Sequence, residues 1–345
     1  MTSSITRRAL FSLAGATGVG LAVAACSKSP SGGSSSGSQA SSGSAGGSST
    51  TATAKVSALS PAQVPLAGGS TVTVKGSGLG SVTGVLVAGV AATNVVAKSD
   101  RVTFTVPHQV GYTAGKANVQ LTAGAVTAGE APDPQPTAAA PSDTPSSGTI
   151  TLETPAATAS DSPTAAGRTT TVATTSVEYA ALTDVDRQLE YAMKWWHVYN
   201  VAEYGNMNAI GGDCANFTSQ TLIARGWKQR SDWYNTDGGS SHSSTWTYCP
   251  SFDPWLTTNG AALGLTRRSL SERDKVKVGD IVFYDWNNNG SPDHVTVVSQ
   301  VTKDSTGKTV IKSVSHNDDG QYRDLDYMIS VQHPGGTAWF HTFDA

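Results

Sequence analysis

The residue best placed for covalent chemistry is Cys214, in the stretch Gly211-Gly212-Asp213-Cys214-Ala215-Asn216-Phe217-Thr218-Ser219-Gln220. Two glycines free the backbone, Asp213 suits an N-cap and Gly226 suits the left-handed residue that ends a helix, so the stretch predicts a loop breaking into a helix. Cys214 then lies in the first helical turn. Unpaired N–H groups and the positive end of the macrodipole favour a thiolate there, and the Cys214 amide becomes a natural oxyanion donor. The competing use of Cys214 in an exported chain is a buried or disulfide-bonded cysteine, so the chemistry requires a base.

That base is sought further on. Val276 to Trp286 predicts a turn feeding an apolar strand, His294 to Val301 a second strand and Thr309 to His316 a third. If the last hairpin is symmetric about Ser305, Val301 faces Thr309 and His294 faces His316. Directly opposed residues share one face with Cβ atoms roughly 5 Å apart, which supplies a base and an orienting partner, although a one-residue slip would separate them. Asp285, Asn287, Asn289, Gly290 and Asp293 echo a calcium loop, but its twelfth position is Thr296, not Glu, so a hairpin turn is preferred. No His/Cys grouping has zinc spacing, so neither metal nor cofactor is expected. His197, His242, His333 and His341 carry no partner pattern.

These residues need a folded frame. Asp184 to Tyr199 predicts a helix, with Val185, Leu189, Ala192, Met193 and Trp196 at three- and four-residue spacing. Lys228 to Pro254 predicts a loop whose Trp233 and Trp246, with Trp255 just beyond, serve either as substrate platforms or, the commoner use, as core. All eight tryptophans lie at or after Trp195, so the core-forming part is C-terminal. A net charge of −3 and a pI near 6.1 give no basic footprint for nucleic acid. Three cysteines, Cys26, Cys214 and Cys249, are too few for a disulfide scaffold.

Towards the N-terminus the chain reads as export machinery and linkers. Arg7-Arg8 before the apolar run Leu10 to Ala25 has the pattern of a twin-arginine signal, and Val23-Ala24-Ala25-Cys26 resembles a bacterial lipobox. Residues 1–26 are therefore expected to be a signal ending at a lipidated Cys26, and 27–54 a disordered Ser/Gly tether. Residues 55–127 show short alternating strands between turns, the pattern of a small β-sandwich. Residues 128–173 read as a disordered Ala/Thr/Ser/Pro linker, leaving 174–345 as an independently folding domain for whose chemistry the region before Thr175 is dispensable.

Two resemblances sharpen this outline. Ser60-Pro61, the run Ala67 to Gly80 and Thr105-Val106-Pro107 resemble the immunoglobulin-like IPT/TIG family, which implies a spacer or interaction module. The stretches Gly211 to Gln220, Gly279 to Trp286 and Asp293-His294-Val295 resemble the family named the putative amidase domain, among the NlpC-type cell-wall cysteine peptidases. That resemblance implies a papain-like α+β fold, a Cys214 nucleophile, a His294 base, and His316 holding the His294 ring with Asn317 as the alternative. Amide hydrolysis in peptidoglycan stem peptides follows, by an enzyme held on the outer face of the cytoplasmic membrane through Cys26. The rival expectation is a non-catalytic surface binding lipoprotein with Cys214 locked to Cys249.

Overall fold

The computed structural model describes residues 54–124, 169–317 and 319–344. Cys26, the expected signal and tether, and most of the expected linker lie outside the described residues. The described residues form one compact unit, in which a β-sheet immunoglobulin-like region adjoins an α+β C-terminal domain.

The first region is a pair of sheets. Its strands are β1 (Lys55–Ser60), β2 (Gln63–Pro65), β3 (Thr71–Ser77), β4 (Gly84–Val87), β5 (Val90–Ala91), β6 (Thr93–Lys98), β7 (Arg101–Thr105), β8 (Gly115–Ala123) and β9 (Thr170–Ala180). They form a four-stranded sheet in the order β1-β3-β7-β6 and a five-stranded one in the order β2-β9-β8-β4-β5. Alternation of Val72 and Val74 with exposed or half-buried neighbours on β3 shows the period of two expected of a strand with one buried face. Strand β9 overturns one expectation. It pairs along nearly all of β8 and in parallel with β2, so residues 170–180 complete the sandwich and run across the boundary expected after residue 173.

The α+β region follows directly. Helix α1 (Asp184–Trp195) starts at a capping box in which the Thr183 hydroxyl accepts from the Asp186 N–H and the Asp186 carboxylate accepts from the Thr183 N–H. After α2 (Val201–Tyr204) comes α3 (Cys214–Arg225), ended by Gly226 at φ 115°. A short ribbon, β10 (Asn235–Thr236) and β11 (Ser241–His242), leads to α4 (Ser244–Thr247) and α5 (Cys249–Leu263). The remaining strands are β12 (Leu265–Ser269), β13 (Ile281–Asp285), β14 (His294–Lys303), β15 (Thr309–Ser315), β16 (Gly320–Asp324) and β17 (Thr337–Phe343). They make a six-stranded antiparallel sheet in the order β12-β17-β13-β14-β15-β16.

Strand β13 is buried at every position because both faces are covered: Ile281 and Phe283 pack with the α3–α5 side, Val282 and Tyr284 with Leu325, Met328 and Phe340. The turn before it needs Gly279, whose φ is +88° and whose added Cβ would lie 2.3 Å from Val185. Asp280 then uses both carboxylate oxygens on the N–H groups of Lys277 and Phe343, tying the strand entrance to β17. Burial pushes its carboxyl up to about 6.

One apolar core continues from the sandwich into the α+β region, joining Val64, Tyr112 and Tyr179 to Leu189, Met193, Phe217, Val297 and Tyr322. The buried Asp186 carboxylate, besides capping α1, accepts from the Ala67 N–H at 2.7 Å. The expectation that the region before Thr175 is dispensable therefore conflicts with the packing. A chain starting at Thr174 loses part of β9 and exposes Leu189, Met193 and Val297. It should bind a hydrophobic dye and lose the cooperative thermal transition that the longer chain shows by circular dichroism.

Candidate active site

Helix α3 is buried on almost every side, from Cys214 to Leu222. A buried helix this polar must find partners for its side chains. Asn216 Oδ1 accepts from Trp246 Nε1 at 2.8 Å and from Asn235 Nδ2 at 3.0 Å, and Ser219 Oγ accepts from Trp233 Nε1 at 3.2 Å. Trp233 and Trp246 are thus wholly buried and hydrogen-bonded, and Trp255 stacks on Trp233 at 5.5 Å, so these rings are framework for α3.

The N-terminus of α3 is capped from a distance. Asp213 stands at the N-cap but its carboxylate makes no capping bond. Its Oδ1 accepts from the Met207 N–H and from Asn216 Nδ2, each at 2.8 Å, and its Oδ2 faces His316 Nδ1 at 2.6 Å. Asn317 takes over the cap: its Oδ1 accepts from the N–H groups of both Asp213 and Cys214, the latter at 2.9 Å. The approach requires Gly212, since a Cβ there would come 3.0 Å from Asn317 Oδ1. Asn317 is therefore a helix-capping residue, and the Cys214 amide, expected as an oxyanion donor, can serve one only by exchanging Asn317.

The sulfur of Cys214 has three neighbours. Cys249 Sγ lies 3.3 Å away, and both cysteines are reduced. Because Cys249 is the first residue of α5, the N-termini of two helices converge on the sulfur pair. The bond from the Cys249 thiol holds Cys214 well below the ordinary thiol value against the cost of burial, and the His294 imidazole and the Val295 N–H lower it further. The same bond and burial push Cys249 well up, so it stays the donor. A cleft of about 250 Å³ opens beside the pair, walled by Gly211, Gly212, Thr247, Tyr248 and Ser291 to Asp293.

Behind His294, the expected arrangement is not the one found. His294 Nε2 lies 3.3 Å from Ser315 Oγ, and Trp286 stacks on the ring at 5.7 Å. His316 is elsewhere. Its Nδ1 meets Asp213 and its Nε2 meets the Trp195 carbonyl at 2.8 Å, while Tyr199 and Phe217 sandwich the ring at 4.1 and 4.2 Å. With both nitrogens engaged it cannot hold His294.

The register explains the exchange. Lys303, not Val301, pairs with Thr309, a two-residue shift that by itself keeps the faces unchanged. A bulge at Ser299 then moves the register by one, so that Val297 opposes Val314. Carried to the start of β14, this places Ser315 on the His294 face and turns His316 towards α3. Among the other residues singled out from sequence, Asp285 spends its carboxylate on the N–H groups of Asn289 and Gly290, as a turn-forming residue does. His341 Nε2 meets the Asp253 carboxylate at 2.6 Å, well apart in the chain from Cys214 and His294.

Residues 183–339 match the model of the family described as "Putative amidase domain", and residues 54–137 match that of the "IPT/TIG domain". The C-terminal α+β region is thus similar to that amidase family, and the match points to an amide hydrolase. The "Uncharacterized protein YhbB" of Bacillus subtilis (strain 168) is 28% identical over 166 residues, covering 45% of this chain. The chain spans about half the length of that relative, 49%.

Two outcomes test this geometry. Cys249→Ala removes the donor that does most to favour the Cys214 thiolate, so the pH at which Cys214 becomes half-alkylated should rise, which peptide mapping after reaction with iodoacetamide measures. His316→Ala strips one partner from a buried pair and should cost about 3–5 kcal/mol in urea unfolding, whereas Ser315→Ala should cost far less.

Proposed function

We propose that the C-terminal domain is a cysteine amidase or peptidase in which Cys214 is the nucleophile, His294 the general base and acid, and Ser315 the group that orients the imidazole. The observation that carries this reading is a sulfur at two converging helix N-termini, 3.3 Å from a second thiol and beside an open cleft, whose thiolate the His294 imidazole favours. With Nε2 on Ser315, Nδ1 is the ring nitrogen left for the sulfur. The thiolate attacks the amide carbon, the imidazolium donates its proton to the leaving amine, and a thioester remains. Water deprotonated by His294 then releases the acid and restores the thiol.

The substrate class we favour is the peptide of the cell wall, reached from the outer face of the cytoplasmic membrane by a lipid on Cys26. The support is the Arg7-Arg8 signal, the Val23 to Cys26 box and the family match.

A binding-only reading has one observation in its favour: Cys249 is close enough to Cys214 for oxidation of the pair to silence the nucleophile. Purified cell wall incubated with the full chain, followed by mass spectrometry of released fragments, separates the two. New amine and carboxyl ends that vanish with Cys214→Ala and with His294→Ala support hydrolysis. An inert protein whose Cys214 is bridged to Cys249 under the assay conditions, and stays inert after reduction, supports binding alone. The single and double variants should lose similar amounts of kcat, because thiol and base act as one unit.

A further inference from the structure

The buried bulge at Ser299 decides which side chain stands behind His294, and the group that completes it comes from the β-sandwich. Ser299 is wholly buried and, as the extra residue of β14, has no partner in the ladder with β15. A buried carbonyl outside the ladder needs a donor. The Tyr112 hydroxyl supplies it, donating to the Ser299 carbonyl at 2.8 Å. On the other side, Ser299 Oγ donates to the Lys312 carbonyl at 3.3 Å, so the bulge is bridged to β15 and to the sandwich at once.

Tyr112 is itself held firmly. It is 1% exposed, its backbone has φ 49°, its N–H donates to the Gln109 carbonyl and its ring stacks on His108 at 5.9 Å. The neighbouring Gly111 N–H donates to the Tyr322 hydroxyl at 3.3 Å, which fastens the same loop to β16. Burial raises the Tyr112 phenol well above its ordinary value, so it remains a donor throughout the working pH range.

We propose that Tyr112 is a positioning residue for the His294–Ser315 pair, acting through the Ser299 bulge, so that the sandwich completes the site it adjoins. Without the phenol the Ser299 carbonyl is left buried and unpaired. The register that removes the bulge then gains, and in that register the residue brought to the His294 face is His316, which is committed to Asp213 and Trp195. The catalytic meaning of this contact rests on the hydrolase reading; the contact is tested without it.

The experiment uses the full chain with a single hydroxyl deleted, Tyr112→Phe, and Tyr322→Phe as comparator at the same interface. Two substrate-free readouts are followed: the pH profile of Cys214 alkylation by iodoacetamide, mapped by mass spectrometry, and the imidazole nitrogen resonances of His294. Tyr112→Phe should move the alkylation profile up by about one pH unit, roughly a tenfold slower reaction at neutral pH, and shift the His294 resonances. Tyr322→Phe should lower the melting temperature and leave both readouts in place. In a His294→Ala background Tyr112→Phe should add nothing to the profile.

A Tyr112→Phe protein with native alkylation and native His294 resonances, whatever its melting temperature, overturns the proposal. Should that variant not fold, site-specific 3-fluorotyrosine at position 112 replaces it. A stronger donor of the same shape should move the two readouts the opposite way, and unchanged readouts again overturn the proposal. Absence of amide cleavage by the native chain would remove the hydrolase reading and leave both readouts able to decide the role of Tyr112.

Discussion

The site depends on how the N-terminus of a buried helix is capped. Helix α3 carries Cys214 in its first turn, where orphan N–H groups must find partners inside the protein. Asn317 meets two of them, and the Asp213 carboxylate is then free to join Met207, Asn216 and His316. Cap and carboxylate belong to adjacent layers of one arrangement, because Asn317 follows His316 directly in the chain. The end of β15 therefore holds the helix with two consecutive side chains and leaves the residue before them, Ser315, to face His294.

Charge at the sulfur follows from the same construction. A thiolate buried in an apolar setting would be costly, and burial does oppose it here. The opposing contributions are a second thiol, an imidazole and a backbone N–H, at a sulfur pair that sits where two helices start. Cys249 takes the opposite shift, which makes the two sulfurs unequal: one favours its thiolate and the other keeps its proton.

The β-sandwich and the α+β region share one core. Asp186 caps α1 and ties Ala67 with the same carboxylate, Tyr112 reaches the bulge of β14, and β9 closes the sandwich only after the long intervening segment. A module joined in this way constrains the strand that bears His294.

Much of this was legible in the order of residues. The glycines, Cys214 and Gly226 marked a loop, a helix start and a helix end, because those signals are local; the apolar run from Ile281 and the alternation in residues 70–106 marked strands for the same reason. Cys214 and His294 could be nominated together, since reactive residue types at element starts are visible without a fold. What only the tertiary structure decided was pairing. A bulge has no local signature, and its single extra residue exchanged His316 for Ser315 behind His294. Likewise, the meeting of Cys214 with Cys249, the cap from Asn317 and the hydroxyl of Tyr112 on Ser299 join residues 35, 103 and 187 positions apart. Such contacts are set by how sheets and helices pack, and that packing is a property of the whole core and not of any one stretch.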